Sequence, residues 1–158
     1  MLSSLLILQA IFVIFISGIL YGFSDFIMRG LNSLAPKSAI AAMRGINITV
    51  YRSLFMILFV GLVATSIIAS VWSIIVHGWQ DSVYVTLGSF LYIFGMFMVT
   101  GRGNVPLNES LGRSDIEGGD SERIWADYYI HWTRLNTLRC LFGVLAGVSW
   151  VVAAYLLL

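Results

Sequence analysis

The stretch WADYYIHWTRLNTLRCLFGVLAGVSWVVAAYLLL, residues 125–158, joins a polar, aromatic segment to an apolar run without a break. Neither glycine nor proline occurs between Ser121 and Phe142, so we expect one uninterrupted helix through the junction. The apolar part, 140–158, has about the 20 residues that a helix needs to cross the hydrocarbon core of a bilayer. The chain therefore ends in a predicted membrane span, preceded by an amphipathic helix over about 120–139.

The whole chain has the composition of a membrane protein. Of its 158 residues, 59% are hydrophobic and 11% are charged, whereas soluble domains are usually about a quarter charged. A net charge of +1 provides no basic field, which argues against nucleic acid as a partner. The single cysteine, Cys140, excludes an intramolecular disulfide and a cysteine-cluster metal site.

Four apolar segments are long enough to be membrane-spanning helices: 5–27, 53–76, 83–101 and 140–158. The first has no Lys or Arg before Arg29 and is longer than the roughly 7–15 apolar residues of a signal peptide, so we expect it to be retained. Continuous apolar runs also exclude a β-barrel, whose strands alternate. The sequence predicts an all-α fold: a single integral membrane domain over 1–158, built as a four-transmembrane-helix bundle.

The charges are distributed on one side of this bundle. All nine basic residues lie in 28–52 or 102–139, the two segments that four spans place on the same side of the membrane. Seven of the eight acidic residues are on that side as well, and Asp81 is the exception. By the positive-inside rule, this side is cytoplasmic. We therefore predict a protein of the cytoplasmic (inner) membrane with both termini outside.

The two cytoplasmic segments differ in pattern. Pro36 suits the first turn of a helix, and small or apolar residues then recur at helical spacing, which predicts a short interfacial helix over about 36–50. Glycines concentrated beyond the third span, together with Pro106, predict a cytoplasmic loop over about 102–119.

One face of the amphipathic helix carries the main site candidates. Trp125, Tyr128, Trp132, Asn136 and Arg139 are spaced by three or four residues, which places them on one side of a helix. One interpretation is an aromatic belt at the membrane surface, with the arginine reaching the headgroups. The other is a polar pocket, because the asparagine and the arginine continue this face to the membrane boundary, where polar side chains mark functional sites.

Three further asparagines are candidates for lining such a pocket. Asn104 and Asn108 flank a proline in NVPLN just beyond the third span, and Asn47 lies on the interfacial helix. Hydrogen bonding to turn backbone is the alternative role for the first two. A solvated polar face is the alternative for the third.

Two local spacings indicate contacts rather than chemistry. Asp25 and Arg29 are four residues apart, which favours a local ion pair, although Arg139 is another partner open to Asp25. Gly18 and Gly22 have the spacing that lets membrane helices approach closely, either within the bundle or between protomers.

Four stretches of the chain resemble the anthrone-oxygenase-like family of integral membrane proteins, most of whose bacterial members form a domain of unknown function. In order, they are FSDFIMRGL (23–31), AIAAMRGINITVYRSLFM (39–56), TGRGNVPLN (100–108) and WADYYIHWTRLNTLR (125–139). The resemblance implies an activity like that of the fungal members, which use dioxygen to convert anthrones to anthraquinones. Many members carry a histidine after the asparagine matched by Asn136, where this chain has Thr137.

The resemblance implies a reaction without a cofactor, in which a base removes a carbon-bound proton and the carbanion reacts with dioxygen. Asp127 or His131 would be the base, although an exposed i,i+4 pair is the alternative for these two. Arg139, with Asn104, Asn108 or Asn136, would polarise the substrate, and Trp125, Tyr128 and Trp132 would form the walls of a flat slot. We expect no metal, because the two histidines fall on opposite sides of the membrane.

Two classes of function stay open from the sequence. The first is an oxygenase that acts on a planar, lipophilic phenolic or quinonoid substrate at the cytoplasmic membrane surface, with a homo-oligomer as one expected state. The alternative is a non-catalytic accessory subunit of a larger respiratory, photosynthetic or transport complex. The small size of the chain and the face with Gly18 and Gly22 favour this alternative. The lipid bilayer is the surrounding medium in both cases.

Overall fold

A computed structural model describes residues 1–117 and 119–158 of the chain. This part of the chain forms five helices and no strand. The helices are α1 (Leu2–Asn32), α2 (Pro36–Val50), α3 (Leu54–Asp81), α4 (Val83–Arg113) and α5 (Ser121–Leu156). All except α2 are long and apolar enough to cross a membrane. The predicted all-α architecture, with four spans, a short additional helix and a long lead-in to the last span, is confirmed.

The predicted loop over 102–119 is wrong for most of its length, because α4 continues as far as Arg113. Pro106 does not interrupt the helix. It lies where the π-helical turn Thr100–Asn104 gives way to an α-helix, and proline is tolerated in the first turn of an α-helix. Residue 118, which also belongs to the predicted loop, lies outside the described residues.

The central helix is α5, which packs against α1, α2 and α4. Small residues allow the close approach of these helices. A Cβ atom at Gly143 would overlap with the Ser17 hydroxyl on α1, and one at Gly95 on α4 would overlap with the Phe142 ring. Both glycines are therefore required by packing rather than by backbone conformation.

Gly18 and Gly22, the glycine pair on α1, are not in close contact with another helix of the bundle. No atom lies within 4 Å of the Cβ position at Gly18, and the atoms nearest to that position at Gly22 belong to side chains one turn further along α1. In the last turns of α1, shortly after this glycine pair, Asp25 pairs with Arg29, with 2.8 Å between Oδ1 and Nη2. The local ion pair is thus the one formed, and Arg139 is not the partner of Asp25.

Candidate functional site

A cavity of about 540 Å³ lies at the charged end of the bundle, where α2 meets α1, α3, α4 and α5. This volume is in the range of small-molecule sites, roughly 300–1,000 Å³. Apolar side chains make up most of the lining, among them Phe23, Met43, Phe55, Met56, Phe59 and Trp132. Its polar contributions include Asn47, Tyr51, Thr100, Asn108 and Arg139. We call this space the main cavity.

The predicted face of α5 is directed into the protein. Trp125, Tyr128, Trp132, Asn136 and Arg139 are all buried, and none is more than 6% exposed. A belt in contact with lipid headgroups would leave its rings exposed, so this face is not an aromatic belt. It packs instead against α2 and the end of α1, which cover it at the charged end of the bundle.

Three aromatic rings on this face form a stacked column. The ring centres of Trp125 and Tyr128 are 5.9 Å apart, and those of Tyr128 and Trp132 are 6.1 Å apart. Phe23 of α1 extends the column at 5.7 Å from Trp132. The rings of Trp132 and Phe23 line the main cavity, so the column forms one of its walls.

Asparagines join the column to the neighbouring helices. The Trp125 indole donates to the Asn32 side chain at 2.9 Å, and the Tyr128 hydroxyl donates to Asn108 Oδ1, also at 2.9 Å. Asn104, which is 1% exposed, donates from Nδ2 to the Trp132 carbonyl at 3.2 Å. These bonds fix α4 and the end of α1 relative to α5, and they satisfy polar groups that would otherwise be costly to bury.

The most unusual group in the main cavity is the guanidinium of Arg139. Its Nε and Nη2 donate to Asn136 Oδ1 at 3.1 and 2.7 Å, its Nη1 donates to the Thr100 hydroxyl at 3.2 Å, and its Cζ lies 5.3 Å from the centre of the Trp132 ring. No carboxylate of the described residues is within 4 Å. A buried cation with only neutral partners is a strong attractor for an anion.

Asn136 holds this cation in place. Besides accepting from Arg139, it donates from Nδ2 to the Leu20 carbonyl at 2.6 Å and to the Ser24 hydroxyl at 2.7 Å. One side chain thus connects the guanidinium to the backbone of α1. Asn136 is fully buried and does not line the main cavity, so it contacts the guanidinium from behind the lining.

The family model described as Anthrone oxygenase matches residues 49–149, well over half of the chain. The chain belongs to the anthrone oxygenase family. No curated protein and no solved structure matches it. The matched region of this anthrone oxygenase family member includes Asn108, Trp132 and Arg139, whereas Asn47 precedes it.

The structure divides the predicted site residues of this family member into three groups. Asn47, Asn108, Trp132 and Arg139 line the main cavity. A second group is buried behind the lining and supports it, consisting of Asn104, Trp125, Tyr128 and Asn136.

The third group is the pair predicted as bases, Asp127 and His131. Both are exposed, they lie away from the buried face of α5, and neither lines the cavity. The structure therefore does not bring these two residues together with the others. Within the described residues, moreover, no three His, Cys, Asp or Glu side chains are grouped as metal ligands would be.

Several lining residues were missed from the sequence. Phe55 and Phe59 belong to the first turns of α3, and their rings are stacked with centres 5.7 Å apart. Their spacing of four residues places both rings on one face of a helix, but any apolar span contains such pairs, so the spacing does not identify a cavity lining. Thr100 was not noticed because a single hydroxyl at the end of a span has no pattern.

Two buried donors of lining residues have no hydrogen-bond partner among the described residues: Asn47 Nδ2 and Trp132 Nε1. Buried polar groups in proteins are nearly always paired. These two donors are therefore available to acceptor atoms of a bound molecule. Together with Arg139, they make the mostly apolar lining complementary to an apolar molecule that carries acceptor oxygens.

The contact between Asn136 and Arg139 can be tested by unfolding experiments in detergent. Asn136→Leu should lower the free energy of unfolding by about 2–3 kcal/mol, because it leaves the buried guanidinium without its main acceptor. In the double variant with Arg139→Met, the loss should be smaller than the sum of the single losses, since both polar partners are then gone. Arg134→Met, at an exposed position, is the control. Strictly additive losses would show that the two side chains do not depend on each other.

Proposed function

We propose that this protein is a membrane-bound oxygenase whose substrate is a planar, lipophilic phenol or its keto tautomer, an anthrone being the reference case. The observation that carries the proposal is the buried Arg139 guanidinium, which lines a mostly apolar cavity and has no anionic partner among the described residues. An anthrone that has lost a proton is a flat anion, and such a molecule complements both the lining and the charge. Membership of the anthrone oxygenase family supports the same class of reaction.

The proposed binding mode places the rings of the substrate among the aromatic side chains and its oxygen at the guanidinium. Phe55 and Phe59 stack on each other with only 9° between their planes, and Trp132 lines the same cavity. Planar rings pack well against such surfaces. The Asn47 amide and the Asn108 side chain supply further polar contacts at the rim of the apolar part.

The proposed reaction begins with the loss of a proton from the ring carbon. No carboxylate and no imidazole of the described residues lines the main cavity. We infer that Arg139 acidifies the substrate instead, because a cation next to an oxygen stabilises the anionic form and lowers its pKa. The proton passes to water, and the charge left on the substrate is shared between the carbon and the oxygen bound by Arg139.

In the remaining steps, dioxygen is the only oxidant that the reaction requires. The carbanion gives electrons to dioxygen and forms a carbon–oxygen bond. Loss of the second proton from the same carbon, with cleavage of the oxygen–oxygen bond, produces a carbonyl group. One oxygen atom stays in the quinone product and the other leaves as water. In this scheme the protein stabilises negative charge and holds the rings, and the substrate supplies the electrons.

Replacement of the cation tests this function directly. We expect Arg139→Gln to lower kcat for anthrone oxidation by a factor of about 100–1,000, as is typical when a group that stabilises an oxyanion is lost. Turnover would be followed by oxygen consumption and by the absorbance of the quinone, with the spontaneous oxidation of anthrone subtracted.

The matched control is Arg134→Gln, which removes the same charge from an exposed position on the same helix. It should retain the activity of the unmodified protein. If Arg139→Gln folds and oxidises anthrones as fast as this control does, the proposed role of the cation is wrong.

We also propose the orientation given by the positive-inside rule, with the main cavity on the cytoplasmic side of the inner membrane. The hydroxyl of Ser3 donates to the carbonyl of Leu157 at 3.2 Å, so the two termini lie at the same end of the bundle. Single cysteines introduced at Gln80 and Glu117, in a Cys140→Ala background, should be labelled from opposite sides in intact cells. A membrane-impermeant maleimide should reach Gln80→Cys only. Labelling of Glu117→Cys instead would reverse the orientation.

The accessory-subunit alternative stays a prediction. The open face at Gly18 is compatible with a partner helix, but lipid fills such a space equally well.

A further inference from the structure

A second cavity, of about 400 Å³, adjoins the main cavity between α2 and the end of α4. We call it the vestibule. Its lining includes Arg44, Asn47, Tyr51, Arg52, Asn108 and Glu109. Asn47, Tyr51 and Asn108 line both cavities, so the two spaces meet at these three side chains.

The vestibule has an excess of positive charge. The half-buried Arg44 donates from Nε to the Leu111 carbonyl at 2.9 Å and from Nη2 to the Ser114 carbonyl at 2.5 Å, and neutral acceptors of this kind leave its charge uncompensated. Arg52 is exposed and forms no ion pair with a described residue. The one carboxylate in the lining, Glu109, lies 3.5 Å from a basic residue outside the lining, Arg113.

The three shared side chains form a polar neck between the two cavities. The Asn47 Nδ2 atom is buried and has no partner among the described residues. Asn108 Oδ1 already accepts from Tyr128, so the part of this amide left for a ligand is its donor nitrogen. A molecule that passes through the neck therefore meets donors there, with a cation at each end of the path: Arg139 in the main cavity and Arg52 in the vestibule.

We propose that the vestibule binds a carboxylate carried by the substrate, while the planar ring system occupies the main cavity. This inference rests on the proposed function and narrows it from planar phenols in general to those with an acidic substituent. A phospholipid offers the same combination of an anionic group and an apolar body. Its acyl chain, however, has no acceptor for Arg139 and would leave this cation facing hydrocarbon, which favours a ring system with its own oxygens.

The experiment compares two ligands that differ only in the carboxylate: a hydroxyanthraquinone and its carboxylated derivative. Binding to the full chain is measured in nanodiscs of uncharged phosphatidylcholine. The unmodified protein should bind the carboxylated ligand at least about tenfold more tightly, as an additional charge-assisted contact allows. This preference should decrease as the salt concentration rises, because the vestibule is partly exposed.

Arg52→Gln should abolish the preference and leave the affinity for the uncarboxylated ligand unchanged. Arg52 is suited to this test because it forms no ion pair with any residue that the structure describes, so the fold loses none. Arg102→Gln removes a charge at another exposed position on the same side and is the control, in which the preference should persist.

The outcomes separate this inference from the proposed function. If the unmodified protein binds both ligands equally, and Arg139→Gln weakens both, the vestibule is not a carboxylate site but the proposed function stands. If neither ligand binds, the proposed function fails and this inference fails with it. A third outcome is that anionic phosphatidylglycerol in the nanodiscs removes the preference in the unmodified protein and has no effect on Arg52→Gln. The vestibule is then a site for lipid headgroups, and the inference is overturned.

Discussion

The two hydrogen bonds that Arg139 donates to Asn136 are the interaction on which the rest of the site depends. Transfer of a guanidinium from water into a protein interior costs several kcal/mol unless neighbouring groups compensate for it. Here the compensation comes from the Asn136 oxygen, the Thr100 hydroxyl and the face of Trp132. These partners belong to α4 and α5, and Asn136 is bound in turn to α1. Three helices must therefore be assembled before the cation has its environment.

The fold could be predicted from the sequence because each of its elements has a local signal. These signals are apolar runs of sufficient length, a proline in the first turn of α2, and buried-face residues spaced by three or four positions on α5. The loop prediction over 102–119 failed because Pro106 lies in the first turn of the α-helical part of α4, where proline is tolerated, and the helix continues beyond it. The buried face of α5 was also within reach of the sequence, since Asn136 and Arg139 have no favourable position in lipid.

The full lining of the cavity could not be predicted, because it comes from five helices whose relative positions depend on packing. Phe55 and Phe59 are far from Arg139 along the chain, and nothing in their local pattern distinguishes them from other residues of a span. The predicted bases illustrate the same limit. Asp127 and His131 have the right chemistry, but the helix that carries them directs them away from the cavity.

The central claim is that the main cavity stabilises an anion, and the ionisation of a bound phenol tests it most directly. A hydroxyanthraquinone changes colour when its phenol ionises, so its pKa can be measured by absorbance while it is bound. Because Arg139 stabilises the phenolate, we predict that the pKa of the bound phenol is lower than in detergent alone and that Arg139→Gln abolishes this decrease. A pKa that is raised on binding, as an apolar cavity without an effective cation would cause, would contradict the account.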